Sequence, residues 1–195
     1  MTPSPDWRTK IIGPERPEDL GEPYDSLMEW VASHPETDFM TQWEEAINPG
    51  WLPYLAQAGG ATKEQLVMAS CAVARLCLHL VIPNGEERPR IAIETAEAWA
   101  RGEATEEQVL DASRNATNAL DYEVWQHPIR EAYYAIDAAS YAYDAVTWAC
   151  STLSTSRAGI ESRVVCATLR KFLPFERPPR PKGLTIWQRL AKESE

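Results

Sequence analysis

Residues 62–85 read TKEQLVMASCAVARLCLHLVIPNG, and this stretch decides the fold class. Thr62 stands three residues before Gln65, the spacing of a capping box, in which each side chain bonds the other residue's backbone N–H at a helix start. Leu66, Ala69, Val73, Leu76 and Leu80 then recur at steps of three and four. That period lays one apolar stripe along a helix. The stretch predicts a helix from residue 62 to about Ile82, stopped by the turn Pro83-Asn84-Gly85.

The same grammar continues toward the C-terminus. Arg88-Pro89 opens a helix, because the fixed φ of proline suits the first turn, and Gly102 closes it. Thr105 and Gln108 form a second capping box, predicting a helix through about Leu120. A long helix is expected over Pro128–Leu153, with one stripe of Ala132, Ile136, Ala139, Tyr143, Val146 and Cys150. Tyr134, Ala138, Tyr141, Ala145 and Trp148 lie on roughly the opposite face, so that helix reads as sandwiched between neighbours. Its remaining strip is polar and carries Asp137 and Asp144. Another helix is expected from about Thr155 to Phe172.

Toward the N-terminus the signals are weaker. Five prolines in residues 1–23 predict an extended arm. A short helix is expected over Asp25–Ser33, then one capped by Thr37 and running through Ile47, and then a brief apolar turn over Trp51–Ala58. At the other end, four prolines over Pro174–Lys182 predict an extended tail, with a short terminal helix over Leu184–Ala191. The expected architecture is all-α: a multi-helix bundle or array with an extended N-terminal arm and a Pro-rich C-terminal tail. Its parts are the arm (1–23), acidic Trp-rich short helices packed on the core (24–60), the helical core (61–173) and the basic tail (174–195).

Composition narrows the function classes. The chain has 195 residues, 44% hydrophobic and 25% charged, which suits one folded domain with terminal extensions. No stretch approaches the roughly 20 consecutive apolar residues of a membrane span. Residues 1–10 show no apolar signal segment, so the cytoplasm is the expected compartment. The net charge of −10 is unevenly spread: residues 1–60 carry 11 acids and 3 bases, residues 161–195 carry 4 acids and 8 bases. An acidic body disfavours nucleic acid and favours a basic protein partner, nucleases included.

Signs of catalysis are sparse. There is no Gly-rich phosphate loop, no HExxH and no GxSxG. His34, His79 and His127 lie far apart in sequence. Cys71, Cys77, Cys150 and Cys166 form no CxxC pair and read as buried free thiols. Cys71 and Cys77, six apart on a helix, point to nearly opposite faces, so one zinc ion cannot join them. Asp137 and Asp144 are two helical turns apart, about 10 Å along the axis, too wide for one metal without a second helix. Neither a metal nor a cofactor is expected. Eight tryptophans remain, of which Trp30, Trp43 and Trp51 lie in the acidic N-terminal third beside Asp38, Glu44 and Glu45. Aromatic and acidic residues together suit a surface for a basic protein, and those six are the expected partner-binding residues. The structural alternative is that the tryptophans pin short helices onto the bundle.

Residues 87–105, ERPRIAIETAEAWARGEAT, resemble the hallmark of a bacterial family of helical immunity proteins (the immunity protein five-like domain of polymorphic toxin systems). That hallmark combines a turn, Arg-Pro-Arg and a Trp at fixed offsets, here Arg88, Pro89, Arg90, Glu94 and Trp99. The resemblance covers roughly residues 62–172. Glu97 departs from it, standing where a basic residue is expected. The resemblance implies a helical bundle, no catalysis, and neutralisation of a cognate toxin by direct binding. From the residues alone the motif reads as structural. Cations at a helix start oppose the dipole, so Arg88 and Arg90 are expected to find acidic partners elsewhere, such as Asp137 or Asp144. Glu94 and Glu97 are expected to pair with Arg90 and Arg101 at four-residue spacing. Two other readings compete: an adaptor or structural subunit that docks through its extended termini, and an enzyme with a buried carboxylate site on the polar strip. The sequence assigns no oligomeric state.

Overall fold

The computed structural model describes residues 1–12, 21–80, 87–123 and 159–176. The chain is all-helical there, with α1 at Trp7–Ile12, α2 at Gly21–Ser33, α3 at Phe39–Glu45 and α4 at Leu52–Gly59. α5 follows at Lys63–Arg75, then a 3₁₀ turn at Leu78–Leu80, α6 at Arg88–Ala100, α7 at Glu106–Glu123 and α8 at Ser162–Phe172. No described helix is long and apolar enough to cross a membrane.

Both predicted capping boxes form. The Gln65 backbone N–H donates to Thr62 Oγ1 at 3.3 Å, and the Thr62 N–H donates to Gln65 Oε1 at 2.9 Å. Thr105 and Gln108 repeat the arrangement at 3.3 and 2.8 Å. Gly102 ends α6 with φ of 77°, and the N–H groups of Gly102 and Glu103 donate back to the carbonyls of Trp99 and Ala98. Gly60, at φ 100°, closes α4 in the same way. These left-handed positions favour glycine because it has no Cβ.

Elsewhere the elements differ from expectation. Residues 7–12 are helical rather than an extended arm, and Trp7 is buried against Phe39 with ring centroids 5.5 Å apart. The prolines at 3 and 5 precede α1 and leave it free to form. Asp38, not Thr37, caps α3, its Oδ1 accepting the Thr41 N–H at 2.8 Å. Trp51–Ala58 is not a brief turn, since α4 starts at Leu52 with Pro53 in its first turn. α5 stops at Arg75 instead of reaching Ile82, and α8 begins at Ser162, after Gly159 at φ 91°. The expected helix over 128–153, with Asp137 and Asp144, lies outside the described residues, as do residues 177–195 of the tail.

The described residues share one main core. Leu27 and Val31 from α2, Phe39 and Trp43 from α3, Leu52 and Leu55 from α4, Val67 and Val73 from α5, Ile93 from α6 and Leu169 from α8 belong to it. α5 packs on both α6 and α8, and α6 packs on α7. Phe175, just past α8, completes the core: its ring lies 4.9 Å from Phe39 and 5.1 Å from Trp43. The tail therefore begins as part of the packed body.

Candidate functional site

The six residues expected to bind a partner separate once placed. Trp43 is 3% exposed, its ring enclosed by Phe39 and Phe175, so it is a core residue and cannot meet a partner. Trp30 and Trp51 are half-buried and pack on one another with centroids 5.1 Å apart. The Trp51 indole N–H donates to Ser26 Oγ at 2.9 Å, which ties α4 to α2. Asp38, Glu44 and Glu45 are exposed. Here the tryptophans pin short helices, as the structural alternative had it, and the acids form the surface.

The surface of the α2–α3 region has one sign of charge. From residue 17 through residue 62 the chain has nine acids and no Lys or Arg. Asp25, Glu29, Glu36, Asp38, Glu44 and Glu45 are all exposed. Among the described residues, Arg8 and Arg170 reach this region from outside, and both donate to backbone carbonyls. Arg8 donates to the carbonyl of His34 at 2.9 Å and to that of Val31 at 3.3 Å, at the C-terminal end of α2. Arg170 donates to Trp43 O through Nε at 3.0 Å and Nη2 at 2.8 Å, and to Ala46 O at 2.6 Å. Each places a cation on helix-terminal carbonyls, where the dipole favours it. Burial pulls the Arg170 pKa below its ordinary value, opposed by the nearby Cys166 and Glu44, yet the group stays a cation at neutral pH.

The family-like motif is differently built. Among the described residues, Arg90 finds its partners on α6 and directly before it, while Asp137 and Asp144 lie outside those residues. Its Nη1 donates to both Glu94 oxygens at 2.7 and 2.8 Å, and its Nε donates to Glu87 Oε2 at 2.8 Å. Glu87, directly before α6, thus offsets both the arginine and the helix dipole. Pro89 is buried, and Trp99 is half-buried with the Lys63 ammonium 4.9 Å from its ring centroid. Glu97 does not pair with Arg101, which turns to Glu103 at 2.9 Å. It takes a two-pronged bond from Arg75 of α5 instead. Arg88 and Glu94 line a groove of 720 Å³ between α6 and α7, with Ile91, Thr95, Ala98 and Ala112 among its walls.

Among the described residues, no group of three or more His, Cys, Asp or Glu could hold a metal. Cys71, Cys77 and Cys166 are buried free thiols, and burial pushes the Cys71 thiol well above its ordinary range. Such a thiol is a poor nucleophile at neutral pH. Comparison with family models, with curated proteins and with solved structures returns no match to the chain.

What sequence reasoning missed is the pair Arg8 and Arg170. Each acts on carbonyls more than twenty residues away, and no local pattern marks such a contact.

Proposed function

We propose that this chain is a non-catalytic binding protein of the immunity type, neutralising a basic bacterial toxin or nuclease by direct contact through its acidic α2–α3 surface. One observation carries the reading: nine acids and no base over residues 17–62, with Asp38, Glu44 and Glu45 exposed. A surface rich in exposed acids steers a cationic protein to it and repels nucleic acid. The resemblance of residues 87–105 to immunity proteins supports the same class. On this reading the Arg88–Trp99 motif is architectural, since Arg90 and Glu94 satisfy one another and Pro89 is buried.

The test is co-expression with the product of the adjacent gene, followed by calorimetric titration of the purified pair. Affinity should fall at least tenfold between low and physiological salt, and again with Glu44→Lys/Glu45→Lys. A tight complex indifferent to both changes, or no complex with any neighbouring product, would sink the proposal.

A further inference from the structure

We infer that Ile47 is the apolar anchor of this surface, and that the partner is a protein offering an apolar socket rimmed by Lys or Arg. The inference rests on the binding reading above and names the centre of its contact. Ile47 is 81% exposed, while the next large apolar side chain among the described residues, Ile91, is 45% exposed. A single exposed apolar residue is ordinary on a protein surface, so exposure alone argues nothing. What distinguishes Ile47 is the rigidity of the turn that presents it and the charge beside it.

The turn is held on both sides. Arg170 fixes the Ala46 carbonyl at 2.6 Å, and the Cys166 thiol donates to the Ile47 carbonyl at 3.5 Å. Asn48 Oδ1 accepts the Gly50 N–H at 2.9 Å, and the Asn48 carbonyl accepts the Trp51 N–H at 3.1 Å. Ala46, Pro49 and Gly50 are buried around it. The Ile47 backbone is therefore pinned while its side chain faces solvent. A pre-ordered apolar group loses little backbone freedom when a partner covers it, which is how a small contact gains affinity. Glu44 and Glu45 are exposed within the preceding turn of chain, so the complementary socket carries positive charge. An apolar centre with a charged rim is the usual anatomy of a binding hot spot.

The full chain can be tested without knowing the natural partner, using a phage-displayed library of random dodecapeptides. Peptides recovered on the wild type should combine Lys or Arg with aliphatic or aromatic residues. A synthesised peptide should bind Ile47→Asp at least tenfold more weakly and Glu44→Gln/Glu45→Gln several-fold more weakly, with Ile47→Val within twofold of wild type. Unchanged thermal unfolding checks that Ile47→Asp still folds. If removing the acids weakens binding and Ile47→Asp does not, the anchor is overturned and the acidic-surface reading stands. If Ile47→Asp weakens binding and removing the acids does not, the basic character of the partner is overturned, and the inference with it. Recovery of no basic peptides, or of peptides indifferent to both changes, overturns both readings.

Discussion

Arg75 and Glu97 join α5 to α6 through two parallel bonds, Nε to Oε1 at 2.7 Å and Nη2 to Oε2 at 2.8 Å. The carboxylate side chain is 18% exposed and the guanidinium 39%, so the pair is partly shielded from water. A two-pronged pair of this kind sits at the upper end of the surface range, about 1 kcal/mol. A double-mutant cycle with Arg75→Ala and Glu97→Ala, read by urea unfolding, should return a coupling of about that size. Additive single effects would show that the pair only looks well made. The cycle also bears on the departure at position 97: the glutamate is accounted for by an arginine on the preceding helix.

Gly59 should not tolerate a methyl group. A Cβ there would lie 2.6 Å from Phe39 Cζ and 2.8 Å from two Phe175 ring atoms. Alanine ordinarily favours a helix by up to about 1 kcal/mol, but overpacking of a filled core costs about 1–3 kcal/mol. Gly59→Ala should therefore destabilise on balance, and Phe175→Leu in the same chain should restore part of the loss. A more stable Gly59→Ala variant would show that the rings can move aside.

Arg170→Met should destabilise the protein by about 1–3 kcal/mol, because it leaves the Trp43 and Ala46 carbonyls without their donor. Arg170→Lys should recover little, since a single ammonium cannot match the planar fork that reaches both oxygens. Chemical denaturation of the three proteins makes the comparison, and full rescue by lysine would show that charge alone matters at this position.

Acid should weaken the start of α5. The Thr62 side chain, and then the backbone, hold the Glu64 carboxyl below its ordinary value of 4.5. Glu103 beside Arg101 and Asp6 beside Ser4 are shifted in the same direction. A depressed carboxylate stabilises the folded state above its unfolded pKa, and that contribution fades as pH falls through the folded value. The gap in unfolding temperature between wild type and Glu64→Gln, present at pH 7, should therefore narrow as pH falls below the ordinary carboxylate range. A gap that persists in acid would assign the effect to something other than charge.

The sequence was readable where the determining interaction is local. Thr62 and Gln65, Thr105 and Gln108, and Gly102 each announce a helix boundary, because their hydrogen bonds reach only three to five residues. It was not readable where the partner is remote. Glu97 satisfies the spacing rule for Arg101, yet Arg75, 22 residues earlier, takes it. Trp43 has the composition of a binding residue, and only Phe175, far along the chain, shows that it is enclosed. The acidic surface was visible as composition. That Arg8 and Arg170 reach it from outside and donate to its backbone carbonyls became visible only in the fold.

Phe175 closes a core whose other walls come from residues 39, 43 and 59. On the ribosome, those early helices must wait for more than a hundred residues before Phe175 appears. Contacts so distant in sequence slow the final step of folding. The surface bearing Glu44, Glu45 and Ile47 should thus reach its finished shape only after Phe175 has been made, and a nascent chain that stops short of it should be a poor competitor for any partner of the finished one.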